Sequence, residues 1–515
     1  MSRFAYPQLP LDGLLRRAAE RDPDGCALRT GSGAMTFAEL DALADRFAVC
    51  AAELAGGPGA RIGVANALGW EFPAAYYGAV RSGNTAVLVN PLIKEAGLLH
   101  VFSAAAVEVA FVPAATAELL DGLRDRLPAL RAVVVFGEGL PEARAGGFPV
   151  ADLDGDACVQ FTTGTTGRPR GVRLTHRNLV ANAAQTAAAH RLGSGSVTLN
   201  HLPLFHTMHL NSAVFAGAAQ VLCTDPDPLA SLALAARTGA THYYGLPARL
   251  HRLAGQLAQA GPRTRTEGVP AGPALTAVLS GGTALAPATA GALADRLGVP
   301  VIQGYGMAEL SPLSHCQSPE GGKTGSVGRP VAGTECRVVD LDGRVPLGAY
   351  ATGEVQVRGP QLMAGYLDPA EGCGIDDEGW LSTGDIGYLD EHGELFLVDR
   401  IGDVFKYDNE LVSPTAVESV LAADPRVADC VVTGWPDPEH GAVTWAGIVL
   451  REPYAAHPLD TLDSIVDGAN RRLARFERIR RVEVVDAVPR TPVGKPERRR
   501  LRQALHSRAA IEAAA

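Results

Sequence analysis

The first half of the chain alternates short apolar runs with longer runs rich in alanine and leucine, and this alternation constrains the fold more than any other feature. The segment TFAELDALADRFAVCAAELAG has helical periodicity, and Thr36 with Glu39 three residues later predicts a capping box at its start. The next runs, RIGVAN, EFPAAYYGAVRSG and TAVLVN, predict a strand, a helix and a strand. This order predicts an α/β fold in which parallel sheets are covered by helices.

Glycines lie at the ends of several predicted strands. The runs RAVVVFG, HYYGLP, LTAVLSGG and PVIQGYG all show this pattern. Because α/β folds bind ligands beyond the carboxyl ends of parallel strands, we expect a binding site near these glycines. The glycines concerned are Gly137, Gly245, Gly281, Gly282, Gly304 and Gly306.

The alternation of strand and helix patterns gives way to strand patterns near Gly325. The runs ECRVVDLDG, GEVQVRG and GELFLVDR predict strands joined by turns, so we expect a β-rich subdomain at about 325–399. After Arg400 the chain reads as a loop, a helix and a strand, and it finishes with a strand, a loop and a basic helix. Since 515 residues exceed one compact core, we predict an N-terminal domain over 1–399 and a small α+β C-terminal domain over 400–515.

Charge and composition exclude several functional classes. The net charge is −10, from 46 basic and 56 acidic residues, which argues against a nucleic-acid partner. The eight cysteines are scattered without the spacing of a zinc site or a disulfide framework. The N-terminus lacks the apolar core of a signal peptide, and no run of about 18 apolar residues predicts an integral membrane segment. We therefore expect a cytoplasmic protein.

A loop at residues 162–171 reads TTGTTGRPRG and concentrates hydroxyl groups and backbone amides. The stretch around it reads as strand, loop and helix, and amides ahead of a helix form a ready anion site. It is not a Walker A loop, because G-x-x-x-x-G-K-[ST] is absent. The spacing alone leaves two interpretations open, a phosphate cradle and a mobile turn.

The loop resembles the phosphate-binding loop of the adenylate-forming superfamily, which includes acyl-CoA synthetases, peptide-synthetase adenylation domains and luciferases. Six further motifs follow in the family's order, and together they cover essentially the whole chain: LPLFHTMHL, LSGGTALAP, QGYGMAEL, TGSVGRPVAGTE, WLSTGDIGYLDEHGELFLVDR and PRTPVGKPERRRLR. The resemblance implies a ligase that activates a carboxylate with ATP and Mg²⁺ and then transfers the acyl group to a thiol, usually coenzyme A. It also implies a C-terminal domain that rotates between the two steps.

The resemblance assigns roles at the nucleotide. Glu309 would help to hold Mg²⁺, Tyr305 would lie against adenine, and Asp385 with Arg400 would bind the ribose; Lys495 would reach the reacting carboxylate and α-phosphate. Without the resemblance, Asp385 reads as a turn residue, Glu309 as a helix-start carboxylate and Lys495 as an exposed loop lysine. The nucleotide-binding residues implied are Thr162, Thr163, Gly164, Thr165, Thr166, Gly167, Arg170, Gly282, Gly304, Tyr305, Gly306, Ala308, Asp385 and Arg400.

The resemblance also places the acyl substrate. His206 stands where the family has an aromatic or histidine gate, although His206 and His209 read equally well as buried core histidines. The motif LPLFHTMHLNSAVFAG offers no aspartate for an amino-acid ammonium group, and its apolar character indicates a fatty, aryl or terpenoid acid. The predicted pocket residues are Phe205, His206, Tyr244, Gly245 and Gly281.

Coenzyme A is the favoured acceptor, because no carrier domain follows Lys495, and a separate carrier protein is the second choice. The basic segments at 471–481 and 498–502 suit either the phosphates of coenzyme A or solvated helix faces. We expect a small-molecule carboxylic acid and coenzyme A as partners, with a homodimer as an option.

Several positions depart from the family pattern. Ala308 replaces a threonine whose hydroxyl contacts the phosphate, a bond worth about 1.5–3 kcal/mol, and Arg170 replaces a lysine. Gly402 in RIGD stands at the interdomain hinge. The loop that follows contains Lys406. It has Asn409, preceded by Asp408, where a glycine is common beside the coenzyme A path, and Ala416 replaces the usual glutamate further on.

These departures leave three functions open. The first is an acyl-CoA ligase with uneven half-reactions. The second is an enzyme specialised for thioester formation from a preformed acyl-adenylate. The third is a degenerate member that serves as a ligand-binding protein.

Overall fold

A computed structural model describes residues 4–142, 147–162, 169–201, 204–259, 272, 274–341, 345–408, 410–456, 458–490 and 496–514. The chain forms two compact units. Unit 1 comprises Met1–Cys336 and Val357–Leu381, and unit 2 comprises Arg337–Gln356 and Ser382–Ala515. The boundary proposed near residues 399–402 lies inside unit 2.

Helices and strands are numbered here in chain order. The helices of unit 1 are α1 (Gly13–Arg21), α2 (Phe37–Ala55), α3 (Glu71–Arg81), α4 (Glu95–Ala104), α5 (Ala114–Gly122), α6 (His176–Ala189), α7 (Thr207–Ala216), α8 (Pro228–Thr238), α9 (Pro247–Gln259) and α10 (Pro287–Leu297). Those of unit 2 are α11 (Pro414–Ala422), α12 (Pro458–Asn470) and α13 (Arg498–Ala514).

Two large sheets form the centre of unit 1. Within the described residues, one has seven strands in the order β18 (Gly365–Tyr366), β8 (Gly171–Thr175), β7 (Asp156–Phe161), β4 (Thr85–Val89), β3 (Arg61–Ala65), β5 (Val109–Val112) and β6 (Ala132–Val135). The other has nine, in the order β15 (Arg329–Pro330), β14 (Leu313–Cys316), β13 (Val301–Gly306), β12 (Ala277–Ser280), β11 (His242–Gly245), β9 (Val197–Asn200), β10 (Ala219–Leu222), β1 (Cys26–Thr30) and β2 (Gly33–Thr36).

Two smaller sheets lie later in the chain. A four-stranded sheet has the order β16 (Glu335–Val339), β17 (Gly353–Arg358), β19 (Leu381–Leu389) and β20 (Leu395–Arg400). A five-stranded sheet has the order β22 (Glu410–Val412), β21 (Phe405–Tyr407), β24 (Gly441–Leu450) and β23 (Val427–Asp437), and β25 (Ile479–Val484) also pairs with β24. Residues of this last sheet and of α11–α13 enclose an apolar core in unit 2 that includes Trp435 and Trp445.

The predicted α/β architecture is confirmed. Strands β3, β4 and β5 pair in parallel, as do β11, β12 and β13. Helix α2 begins with the predicted capping box: the Glu39 amide donates to Thr36 Oγ1 at 3.1 Å, and the Thr36 amide donates to Glu39 Oε2 at 2.8 Å. The helix ends at Gly56, whose φ of 76° is a left-handed conformation that glycine adopts without steric cost.

One expectation was wrong. The loop after β7 does not lead directly into a helix, because β8 follows it and pairs antiparallel with β7. Four of the five residues of β8 are buried and Arg173 is half-buried, as expected for a strand that has a neighbour on each side in the sheet. Helix α6 begins only at His176, so the argument from a helix N-terminus does not apply to this loop.

A buried ion cluster holds the first three helices together. The side chain of Arg81 is fully buried at the end of α3. Its guanidinium pairs with Asp12 at 3.3 Å, Asp41 at 2.5 Å and Asp45 at 2.8 Å. Breaking a buried ion pair leaves an uncompensated charge, so we expect this cluster to contribute strongly to the stability of unit 1.

Two structural findings concern the cysteines and the search for membrane-spanning segments. All eight cysteines are free thiols. Across the described ranges, the helices are too short or too polar to cross a membrane.

Candidate active site

Glu309 is a buried carboxylate beyond the end of a central strand of unit 1. Strand β13 ends at Gly306, and a short 3₁₀ turn, Ala308–Leu310, carries Glu309 with 2% of its surface exposed. The chain doubles back so closely that a Cβ atom on Gly306 would lie 1.9 Å from the carbonyl oxygen of Pro312. Glycine at this position is therefore required for the turn that positions Glu309.

Two side chains hold the Glu309 carboxylate. The hydroxyl of Tyr366 donates to Oε1 at 2.8 Å, and the guanidinium of Arg170 lies 3.3 Å from the same oxygen. Arg170 also lies over the ring of Tyr366, 4.2 Å from its centroid. Burial, and then the Glu309 charge, raise the pKa of Tyr366, so this hydroxyl stays a donor. The three groups form one compact polar cluster.

Arg170 links this cluster to the base of the predicted phosphate loop. The Arg170 amide donates to Thr162 Oγ1 at 3.3 Å, and the Thr162 amide donates to the Arg170 carbonyl at 2.9 Å. The Nε of Arg170 is buried and finds no hydrogen-bond partner in the described part of the chain. A guanidinium with a buried, unused N–H fits a phosphate oxygen.

The cluster fits Mg²⁺ as well as phosphate. The described residues contain no group of three or more His, Cys, Asp or Glu that could form an all-protein metal site. Mg²⁺ usually binds one or two carboxylates together with water and substrate phosphates, so a single carboxylate such as Glu309 is sufficient.

The predicted adenine side lies on β13 and the neighbouring strand ends. Tyr305 is buried, and its ring centroid lies 5.8 Å from that of His315. Space remains open beside Gly281, since a Cβ atom there would meet nothing nearer than the Gly304 carbonyl oxygen at 3.7 Å. Gly282 follows, and Ala308 begins the turn that carries Glu309. The structure thus places these predicted residues at the carboxyl ends of adjacent parallel strands.

The predicted gate residue, His206, caps helix α7. Its Nδ1 accepts a hydrogen bond from the Met208 amide at 3.2 Å. Burial lowers the pKa of His206 to about 4, although part of the side chain remains accessible. The imidazole is therefore neutral at physiological pH.

A chain of buried polar rings extends from this helix. His209 stacks on Tyr244, with centroids 3.9 Å apart, and the Tyr244 hydroxyl lies 3.0 Å from His190 Nδ1. His242 Nε2 donates to the His190 carbonyl at 2.8 Å. Of these four residues, the sequence predicts a pocket role for Tyr244 only. His190 carries no recognisable sequence signal because it is the C-cap of α6, far from the motifs.

Two further predicted pocket residues have close protein neighbours. Phe205 is fully buried and packs edge-on against Phe72, with centroids 5.8 Å apart. A Cβ atom on Gly245 would lie 2.7 Å from Leu250 Cδ2, so this glycine permits close packing of α9.

Unit 2 holds the predicted ribose pair. Asp385 on β19 and Arg400 on β20 are directly opposite in the antiparallel register. Arg400 Nε lies 2.9 Å from Asp385 Oδ1, and Asp385 is 5% exposed. Both residues are predicted to bind the ribose, and the structure brings them together.

The predicted hinge segment is tied to helices of the same unit. The Gly402 carbonyl accepts a hydrogen bond from Arg502 at 2.7 Å, and Asp403 pairs with Arg502 at 3.3 Å. On the other side of Gly402, Asp399 Oδ2 accepts from Ser413 Oγ at 2.8 Å and from the Thr415 amide at 2.9 Å, at the start of α11.

Asp408 takes the conformation that a glycine favours. Its φ is 47°, and its carboxylate lies 2.7 Å from His440 Nδ1. Lys406 is exposed on β21. The remaining predicted site residues fall outside the described part of the chain, and they are Thr163, Gly164, Thr165, Thr166, Gly167, Asn409 and Lys495.

Comparisons with known proteins agree over most of the chain. Residues 15–367 match the family model of the AMP-binding enzyme, and residues 416–495 match that of the AMP-binding enzyme C-terminal domain. The chain is 33% identical to 4-coumarate–CoA ligase 2 of Oryza sativa subsp. japonica, over 95% of this chain and 91% of that protein.

Two solved structures are similar over nearly the full length. The anthranilate CoA ligase AuaEII in complex with anthranoyl-AMP is 26% identical, with a TM-score of 0.85 over 98% of each chain. ATP-bound MatB from Rhodopseudomonas palustris is 24% identical, with a TM-score of 0.86 over 97% of this chain and 100% of that one, and this likeness concerns the fold.

Proposed function

Since the chain belongs to the family of AMP-binding enzymes, we propose that it joins a hydrophobic carboxylic acid to coenzyme A through an acyl-adenylate. It is an AMP-dependent acid–thiol ligase by family. The hydrophobic acid, the acceptor and the balance of the two half-reactions are the parts of this proposal that require experiment.

The observation that carries the proposal is the cluster of Glu309, Arg170 and Tyr366. Activation of a carboxylate by ATP brings two anions together, so the site must neutralise charge as it develops. Glu309 would hold Mg²⁺, which supplies positive charge at the phosphates when bound. Arg170 would donate its buried Nε to a phosphate oxygen while its guanidinium orients Glu309.

The other residues take roles that match their chemistry. Asp385, an acceptor held by Arg400, would receive hydrogen bonds from the ribose hydroxyls. Tyr305 would lie against the adenine ring. Lys495, outside the described residues, would reach the reacting carboxylate during adenylation. We propose that the C-terminal domain, about 400–515, turns about Gly402 between the two steps.

An aryl acid is the substrate class that we favour. The relatives 4-coumarate–CoA ligase 2 and the anthranilate CoA ligase carry aryl acids in their names. The neutral ring of His206 and the buried ring of Tyr244 suit an uncharged acyl chain better than an amino acid, whose ammonium group would need a carboxylate.

The test separates the two half-reactions. Wild-type protein is assayed for acyl-CoA formation from aryl and fatty acids with ATP, and separately from synthetic acyl-adenylate with coenzyme A. We expect both routes to give thioester with an aryl acid. Thioester from the acyl-adenylate alone would establish the one-step alternative. Failure of both routes despite tight nucleotide binding would establish a ligand-binding protein.

The matched variants are Glu309→Gln and Glu354→Gln. Glu309→Gln removes the charge at the proposed metal site and should abolish the ATP-dependent route while sparing the route from the acyl-adenylate. Glu354→Gln makes the same chemical change on β17, at a residue of unit 2 that has no proposed role at the site, and should leave both routes intact.

A further inference from the structure

His209 is a buried imidazole with an unused ring nitrogen. It lies in α7, three residues after the predicted gate His206, and is 7% exposed. Its ring stacks on that of Tyr244, with centroids 3.9 Å apart and planes 26° apart. Within the described ranges, its Nδ1 is buried and has no hydrogen-bond partner.

The hydrogen bonds of Tyr244 and its neighbours fix the position of the His209 imidazole. The Tyr244 hydroxyl is bonded to His190 Nδ1 at 3.0 Å, and the His190 carbonyl is bonded to His242 Nε2 at 2.8 Å. Tyr244 cannot turn without breaking this chain, so the ring stacked on it is held as well. A polar group held in one orientation discriminates between ligands better than a mobile one.

The charge state of His209 defines the group that it can recognise. Burial, followed by the neighbouring His206 and His190, lowers its pKa well below the ordinary value. A neutral imidazole carries one donor and one acceptor nitrogen. An uncharged group that can both donate and accept, such as a hydroxyl or an amino substituent, matches Nδ1 in either tautomer of the ring.

We propose that His209 is a specificity-determining residue, whose Nδ1 forms a hydrogen bond with an uncharged hydroxyl or amino substituent on the aryl part of the acid substrate. This inference rests on the proposed function and deepens it. A site built to hydrogen-bond a substrate group rejects the analogue that lacks it, because its own buried polar atom is then left unpaired.

The experiment compares pairs of aryl acids that differ only in a ring hydroxyl or amino group. For each acid, kcat/KM is measured by acid-dependent exchange of pyrophosphate into ATP, and the quantity of interest is the ratio within a pair. We expect wild-type protein to prefer the substituted acid by roughly ten- to a hundredfold. His209→Phe, which keeps an aromatic ring on Tyr244, should bring the ratio close to one, and His209→Gln should retain part of it.

The matched control is His201→Phe. His201 is another buried histidine beside a tyrosine, Tyr243, but both its ring nitrogens have partners within the protein: the Tyr243 hydroxyl and the Asp225 carbonyl. Because Tyr243 and Tyr244 are adjacent in β11, they face opposite sides of the sheet. His201→Phe should reduce stability without changing the ratio.

Two results would overturn the inference. The first is a wild-type ratio near one, which needs no variant and is unaffected by any folding defect. The second is an equal ratio in wild type and His209→Gln or His209→Phe, as expected if Nδ1 faces only a water molecule. Exchange with fatty acids but with no aryl acid would overturn the proposed aryl substrate together with the inference, whereas exchange with aryl acids at an unchanged ratio overturns the inference alone.

Discussion

The hydroxyl of Tyr366 is the most selective point at which to test the Glu309 cluster. Tyr366→Phe removes one oxygen atom and keeps the ring on which Arg170 stacks. It deletes the 2.8 Å hydrogen bond to Glu309 Oε1, in which the donor is 8% exposed and the acceptor residue 2% exposed. The carboxylate keeps its ion pair with Arg170 at 3.3 Å.

The size of the effect follows from these contacts. A hydrogen bond to a charged group contributes about 1.5–3 kcal/mol. Since Arg170 continues to satisfy the same oxygen, we expect the lower part of this range, about 1.5–2 kcal/mol. In rate terms this is roughly a ten- to thirtyfold loss of kcat/KM for ATP in pyrophosphate exchange.

The assay distinguishes orientation of Glu309 from general damage. Thioester formation from synthetic acyl-adenylate does not require ATP, so Tyr366→Phe should leave it within twofold of wild type. The control is Tyr388→Phe, a tyrosine whose ring stacks on Phe396, which should change neither activity. Equal losses in both half-reactions, or full exchange activity in Tyr366→Phe, would refute the role given to this hydroxyl.

Three further predictions address stability, pH and a family departure. Arg81→Ala leaves Asp41 without its guanidinium partner and Asp12 and Asp45 with the exposed Arg16 alone, and it should lower the free energy of unfolding by about 3 kcal/mol in denaturant titrations. The exposed Arg17→Ala should change it by less than about 0.5 kcal/mol. The pKa of His206 is about 4 in the folded protein and about 6.5 in an unfolded chain. The free energy of unfolding is therefore highest above pH 6.5, and it falls on acidification because the unfolded state binds a proton that the folded state does not bind. Wild type should therefore lose about 2 kcal/mol more than His206→Asn between pH 7 and pH 5 in the same titrations, and equal losses would contradict the buried, neutral state. Ala308→Thr supplies the hydroxyl that the family has at this position and should raise pyrophosphate exchange by roughly ten- to a hundredfold, and no increase would show that the missing hydroxyl does not limit adenylation.

Local patterns in the sequence predicted much of the fold. The capping box of Thr36 and Glu39, the helical periodicity after it and the parallel strands that follow depend on neighbours within a few residues, and all three are confirmed. Strand β8 was missed because its five residues are short beside the glycine-rich loop, and the helix signal that follows them is stronger. Its identity depends on pairing with β7.

The sequence names candidate site residues but does not predict the contacts between them. Glu309, Arg170, Asp385 and Arg400 were recognised through family motifs, and the structure pairs Glu309 with Arg170 and Asp385 with Arg400. Tyr366 was missed, because it lies 57 residues beyond Glu309 and reaches it through the two-residue strand β18, which pairs with β8. Contacts of this kind depend on sheet topology and leave no local sequence pattern.

The most direct test of the proposed adenylation of a hydrophobic acid is acid-dependent exchange of labelled pyrophosphate into ATP by the wild-type protein. The proposed adenylation requires exchange that depends on Mg²⁺ and a hydrophobic acid, with an aryl acid among the best substrates, and that disappears in Glu309→Gln. Exchange that is absent with every acid, while thioester still forms from the acyl-adenylate, would contradict it.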